Sequence, residues 1–124
     1  MVKPIDLRIG NLVLDSNDKW CIVETISHQS VRLSAMDCSY NFESKDISEI
    51  KPIALTSSLL ESSGFSEFDT FWAKIWGING VIIVVYEKQY EKFAIQLGKG
   101  KIRILNYLHE LQNGYHFLTN GEEL

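Results

Sequence analysis

Residues 81–87 read VIIVVYE, and this run decides the fold of the second half of the chain. Its first five residues are all β-branched and apolar without alternation. That is the pattern of a central strand covered on both faces. Upstream, residues 70–76 (TFWAKIW) pair with it across Gly77-Ile78-Asn79-Gly80, a hairpin signal. Downstream, a turn near Gln89-Tyr90 leads to a strand over 92–97, and Gly98-Lys99-Gly100 turns into another over 101–105. The spacing predicts a four-stranded antiparallel meander.

Such a sheet needs covering layers, and the residues that follow supply one. Ile104, Leu108, Leu111, Tyr115 and Leu118 recur at steps of four and three, the stripe a helix buries. A helix is predicted over 106–118, with Asn106 as N-cap and Asn120-Gly121 as its stop. A second, shorter helix is predicted over 55–65. Thr56 suits its N-cap, Leu55 and Leu60 a hydrophobic staple, and Gly64 the left-handed position that lets Phe65 fold back on Leu60.

The first fifty residues read differently. Short runs at 12–14, 20–26, 31–34, 40–43 and 50–53 are separated by turn-forming residues, among them Gly10-Asn11, Asp15-Ser16-Asn17-Asp18 and 27–30. Five short strands cannot build a sandwich, but they can curl into a small barrel that protects its edges. The expected fold is therefore α+β. Residues 1–54 form an SH3-like β-barrel lobe, and residues 55–124 form the short helix, meander and C-terminal helix, with the two lobes packed as one unit. That analogy carries no activity with it.

Bulk properties narrow the function. The apolar fraction of 45% is that of an ordinary globular protein. The longest apolar run is strand-sized, far short of the ~18–20 residues that span a bilayer. The first residues lack a signal-peptide core, so cytoplasmic residence without membrane contact is expected. Cys21 and Cys38, with no secretion signal, read as small buried hydrophobes. A net charge of −4 disfavours general nucleic-acid affinity. One segment reverses the sign: Lys88, Lys92, Lys99, Lys101 and Arg103 stand against Glu91 alone. With Tyr90 and Phe93 nearby, these cations make a candidate contact for an anion or single-stranded nucleic acid. The competing reading is a solvated meander whose lysines discourage edge pairing.

No catalytic, cofactor or metal site is expected. His109-Glu110-Leu111-Gln112-Asn113 falls short of H-E-x-x-H, because Asn113 occupies the second ligand position. Asp15–Trp20 lacks the ligands and glycine of a calcium loop. Gly98-Lys99-Gly100-Lys101 lacks the third glycine and the hydroxyl of a P-loop. There is no Gly-x-Ser-x-Gly elbow. Trp72 and Trp76 share a strand face at even spacing, which makes one of them a candidate exposed anchor.

Three segments carry a resemblance. They are Leu7-Arg8-Ile9-Gly10-Asn11, Ile50-Lys51-Pro52-Ile53-Ala54-Leu55-Thr56, and 107–113 with Leu118-Thr119-Asn120-Gly121-Glu122-Glu123-Leu124. Together they resemble a family of small uncharacterised proteins common in gut-bacterial genomes, often near phage-like or mobile elements. The family lends no activity. The resemblance implies that His109, Gln112, Asn113 and Tyr115 form a surface patch. It also implies a non-enzymatic adaptor with a protein partner, or alternatively a nucleic-acid-binding accessory protein using residues 88–103. Relatives tend to carry an apolar residue where Gly114 stands, which points to close packing or a kink there.

Overall fold

The computed structural model describes residues 7–68, 71–76, 80–87, 91–98, 101–119 and 121–124, with only the backbone at 76, 98 and 101. The chain is α+β and divides into two compact units, Met1–Ile53 and Ala54–Leu124.

The first unit is a four-stranded antiparallel sheet in the order β1 (Leu12–Leu14), β2 (Trp20–Ile26), β3 (Ser30–Ala35), β4 (Glu43–Asp46). The turn before β1 is set by Gly10 at φ 95° and by the buried Asn11, whose Oδ1 accepts the Arg8 N–H at 2.7 Å. One face of the sheet builds a core from Val13, Cys21, Val23, Val31, Leu33 and Ala35, closed by Leu7 and Ile50. Two expectations shift here. Residues 40–42 are not a strand: Phe42 lies at φ 51°, and β4 begins only at Glu43. Residues 50–53 give no full strand either, only an antiparallel bridge between Leu14 and Lys51 with two hydrogen bonds of 2.9 Å. Pairing stops at Lys51, and residues 52–53 are in neither strand nor bridge.

The second unit is a five-stranded antiparallel sheet with two helices. Its order is β5 (Ser66–Glu67), β6 (Phe71–Trp76), β7 (Gly80–Glu87), β8 (Lys92–Gly98), β9 (Lys101–Leu105). The two-residue β5 was not legible and adds a fifth strand to the four expected. The turns expected at 77–80, 89–90 and 98–100 lie wholly or partly outside the described residues. Helix α1 (Ser57–Ser62) starts at Thr56, whose Oγ1 accepts the Leu59 N–H at 3.2 Å. It ends with Gly64 at φ 94°, Gly64 N–H on the Glu61 carbonyl and Phe65 N–H on that of Leu60, both at 3.0 Å. This is a Schellman cap, and it leaves Leu60 and Phe65 buried.

Helix α2 (Leu108–Leu118) begins two residues later than the sequence implied, with Tyr107 as N-cap. The reason is tertiary. The extended chain after β9 pairs back onto residues 54–55, with Asn106 accepting the Leu55 N–H at 3.1 Å and a bridge joining Ala54 to Tyr107. Glu110 then serves both waiting donors, accepting the N–H groups of Asn106 at 2.8 Å and Tyr107 at 3.0 Å. At the other end Gly121, at φ 106°, donates to the His116 carbonyl at 2.8 Å.

Candidate functional site

Side chains alternate across a sheet, so the pairing register assigns every residue of the second unit to a face. Trp72, Val84 and Ile95 lie in one row, joined on that face by Lys74, Ile82 and Leu105. Helix α2 packs on this side. A Cβ on its Gly114 would stand 3.3 Å from Ile95 Cδ1, and Lys74 Nζ sits 5.0 Å from the centre of the Tyr115 ring. Gly114 thus marks close packing, which a larger side chain would disturb. The Lys74 ammonium also donates to the Ser63 carbonyl at 2.9 Å, just beyond α1.

The opposite face carries Phe71, Ala73 and Ile75 on β6, and Val81, Ile83 and Val85 on β7. Ala94 and Gln96 on β8 and Ile102 and Ile104 on β9 complete it. It is open. Ile75 is 78% exposed, Val81 54% and Ile102 44%, while Phe71, Ile83, Val85 and Ile104 are half-buried and the small Ala94 is covered by its larger neighbours. Phe68 extends the same surface. It is 52% exposed and stacks on Phe71 with ring centres 5.1 Å apart. Glu87 and Lys92, opposite each other in register, are the two charged residues among the described strand positions of β6 to β9 on this face.

This arrangement corrects the expectation that 81–87 is covered on both sides. Burial along β7 alternates, with Ile82 and Val84 inside and Val81, Ile83 and Val85 outside. An antiparallel sheet with one solvated face normally shows polar residues there. Here the uncovered face keeps a core-like composition, the mark of an interaction surface.

The other sequence-derived candidates fare differently. His109, Gln112 and Tyr115 are buried, and only Asn113 of that group is partly exposed, so the proposed surface patch is mostly interior. Tyr115 falls with Gly114 on the side of α2 that faces the sheet, as its contact with Lys74 shows. The His109 ring stacks on Tyr107 at 5.8 Å, and Glu110 is committed to the helix N-terminus. Trp72, at 7% exposure, belongs to the core, and the side chain of Trp76 lies outside the described residues. Among the described side chains the exposed tryptophan is Trp20, whose carbonyl accepts the N–H of the exposed Met36 at 2.8 Å. Lys19 and Asp37, 3.4 Å apart, flank the pair beside a shallow groove of about 440 Å³. Of the cationic set, Lys88 and Lys99 and the side chain of Lys101 lie outside the described residues. Lys92 projects from the open face and Arg103 from the helix-bearing face, since they pair with Glu87 and Ile95 respectively.

The first unit holds one network that the sequence did not reveal. Asp15 is buried at the end of β1. Its Oδ1 accepts the N–H groups of Asn17 at 2.8 Å and Lys19 at 2.9 Å, and its Oδ2 accepts the Tyr40 hydroxyl at 2.7 Å. Tyr40 has one proton, and Asp15 takes it. The buried Cys21 thiol lies 3.0 Å from the Tyr40 oxygen and donates to the Lys19 carbonyl at 3.4 Å. Burial raises the Asp15 carboxyl, but the hydrogen bonds from Lys19, Tyr40 and Asn17 outweigh it and hold the group below 3.8. Burial, reinforced by Cys21 and Asp15, raises the Tyr40 phenol. Burial likewise raises the Cys21 thiol, against the Tyr40 hydrogen bond. Every member has a partner, so the network acts as a clasp between the β1–β2 loop and the residues before β4.

Comparison with protein-family models, curated proteins and solved structures finds no match to this chain. No helix among the described residues is long and apolar enough to cross a membrane.

Proposed function

We propose that the protein is a non-enzymatic interaction module that docks another protein through the open face of its second sheet. The observation that carries this reading is the core-like composition of that face from Phe68 to Ile104, with Ile75 78% exposed. Covering such a surface releases ordered water and gains about 25 cal/mol per Å² of apolar area. The polar groups with catalytic precedent support the same view, because they are employed structurally: Glu110 in capping, His109 in ring stacking, Asp15 in the loop clasp. A setting in a phage-like or mobile element of gut bacteria rests on the resemblance of the three segments. The SH3-like closure of the first unit is likewise a proposal, supported by the Leu14–Lys51 bridge.

The reading is tested by placing a photo-crosslinking residue at position 75, 102 or 103 in native cells. Adducts are expected from 75 and 102 and none from 103, which leaves the other side of the sheet. Equal yields from all three, or none from any, would overturn it. A salt-sensitive DNA or RNA gel shift that disappears on removal of Lys92, Lys99, Lys101 and Arg103 would replace it with nucleic-acid binding.

A further inference from the structure

The open face has a property that selects its occupant: it is complementary to itself. Glu87 and Lys92 stand opposite each other on neighbouring central strands at one end of the face; the next row, Phe71, Val85, Ala94 and Ile104, is apolar, and the row after it holds Gln96 beside Ala73, Ile83 and Ile102. We infer that the occupant is a second copy of this chain, stacked face to face about a two-fold axis that runs along the strands between β7 and β8. This rests on the docking reading above and gives it a partner.

The geometry follows from the register. The rotation exchanges β7 with β8 and β6 with β9 across the interface, so that Glu87 of each copy meets Lys92 of the other. In the next aligned row Val85 meets Ala94 and Phe71 meets Ile104; in the row after it Ala73 meets Ile102 and Ile83 meets the aliphatic stem of Gln96, whose amide reaches the rim. A two-fold contact of this kind is isologous and closes at two copies. Two stacked sheets pack about 10 Å apart with their strands within about 30° of alignment, which this axis satisfies.

The face also has the size required. Four strands at ~4.8 Å spacing and six residues at ~3.3 Å rise give a plane of roughly 19 by 20 Å, about 400 Å² before side-chain relief. Side-chain relief and the Phe68–Phe71 stack add to this plane, in the direction of the ~800 Å² per partner that a standard interface buries. With one acid and one base on the face, a strongly charged partner finds no complement there.

Sedimentation velocity and light scattering on the full chain test this directly. The native protein is expected to shift from monomer to dimer between low and high micromolar concentration. Glu87→Lys and Lys92→Glu, each alone, place like charges across the interface and should weaken dimerisation at least about tenfold. Mixing the two variants brings lysines of one chain against glutamates of the other and should restore the dimer as a heterodimer. Circular dichroism checks that each variant is folded. If either fails to fold, Ile102→Glu, on the same face but away from the charge pair, takes its place and should also give a monomer. A native chain that stays monomeric at high micromolar concentration overturns the inference. So does a dimer indifferent to all three substitutions, or a mixture that stays monomeric. A monomer that still gives crosslinks to a different protein from positions 75 and 102 overturns this inference and leaves the docking reading intact.

Discussion

Asp15 shows how one side chain can organise a loop, and it makes the first unit sensitive to acid. Its folded-state carboxyl lies below 3.8, so it favours folding fully above the ordinary carboxylate value. That contribution fades as pH falls through the depressed folded value. Asp15→Asn should cost about 2 kcal/mol at neutral pH, because a buried acceptor is lost and an amide must be housed. Urea denaturation from pH 7 down to pH 3 should show a shallower acid dependence in the variant; an unchanged slope would rule out this role. The neighbouring thiols separate cleanly. Cys38 is exposed and Cys21 is buried with a raised pKa. A thiol reagent should label Cys38 in the native protein and Cys21 only in denaturant. The sequence placed both cysteines inside, which holds for Cys21 alone. Cys38 sits at φ 65° in the turn after β3, and no apolar periodicity could reveal that.

At the scale of elements, local chemistry was the most readable. Thr56 and Gly64 carry α1 because a hydroxyl and a glycine act on neighbours three or four residues away. Thr56→Ala should therefore lower stability by about 1 kcal/mol in chemical denaturation, with little change elsewhere in an amide spectrum. What escaped the sequence depended on distant partners. Asn106 is a good N-cap by type, yet its backbone is drawn into pairing with Leu55, and the helix starts beyond it. Residues 50–53 look like a strand, but only Lys51 finds a pairing partner, in a bridge to Leu14. Residues 7–11, 50–56 and 107–124 hold much of this punctuation: the Gly10 turn, the Thr56 cap, the Glu110 bonds and the Gly121 stop.

For the molecule as a whole, the apolar run at 81–85 was read correctly as a strand and incorrectly as doubly covered. The error has a physical source: composition reports what a face is suited to meet, not whether this chain provides it. Helix α2 packs on one side of the sheet and leaves the other open. Ile75→Glu makes the point measurable. The side chain is 78% exposed, so monomer stability should change by no more than about 0.5 kcal/mol while self-association is lost. A large loss of stability would mean that the residue is covered in the folded chain. Two apolar faces have another consequence, which concerns alignment. Sliding β7 by one residue exchanges one apolar row for the other, a slip that a strand with a polar face strongly resists. The register must then be fixed from outside the strand. Lys74 anchors the neighbouring β6, with its ammonium held by the Ser63 carbonyl and the Tyr115 ring. Phe93 fixes the register from β8, through its edge-to-face contact with Tyr86 at 5.4 Å. The strand that decides the fold is thus the one least able to fix its own position, and directional contacts with its neighbours hold it in place.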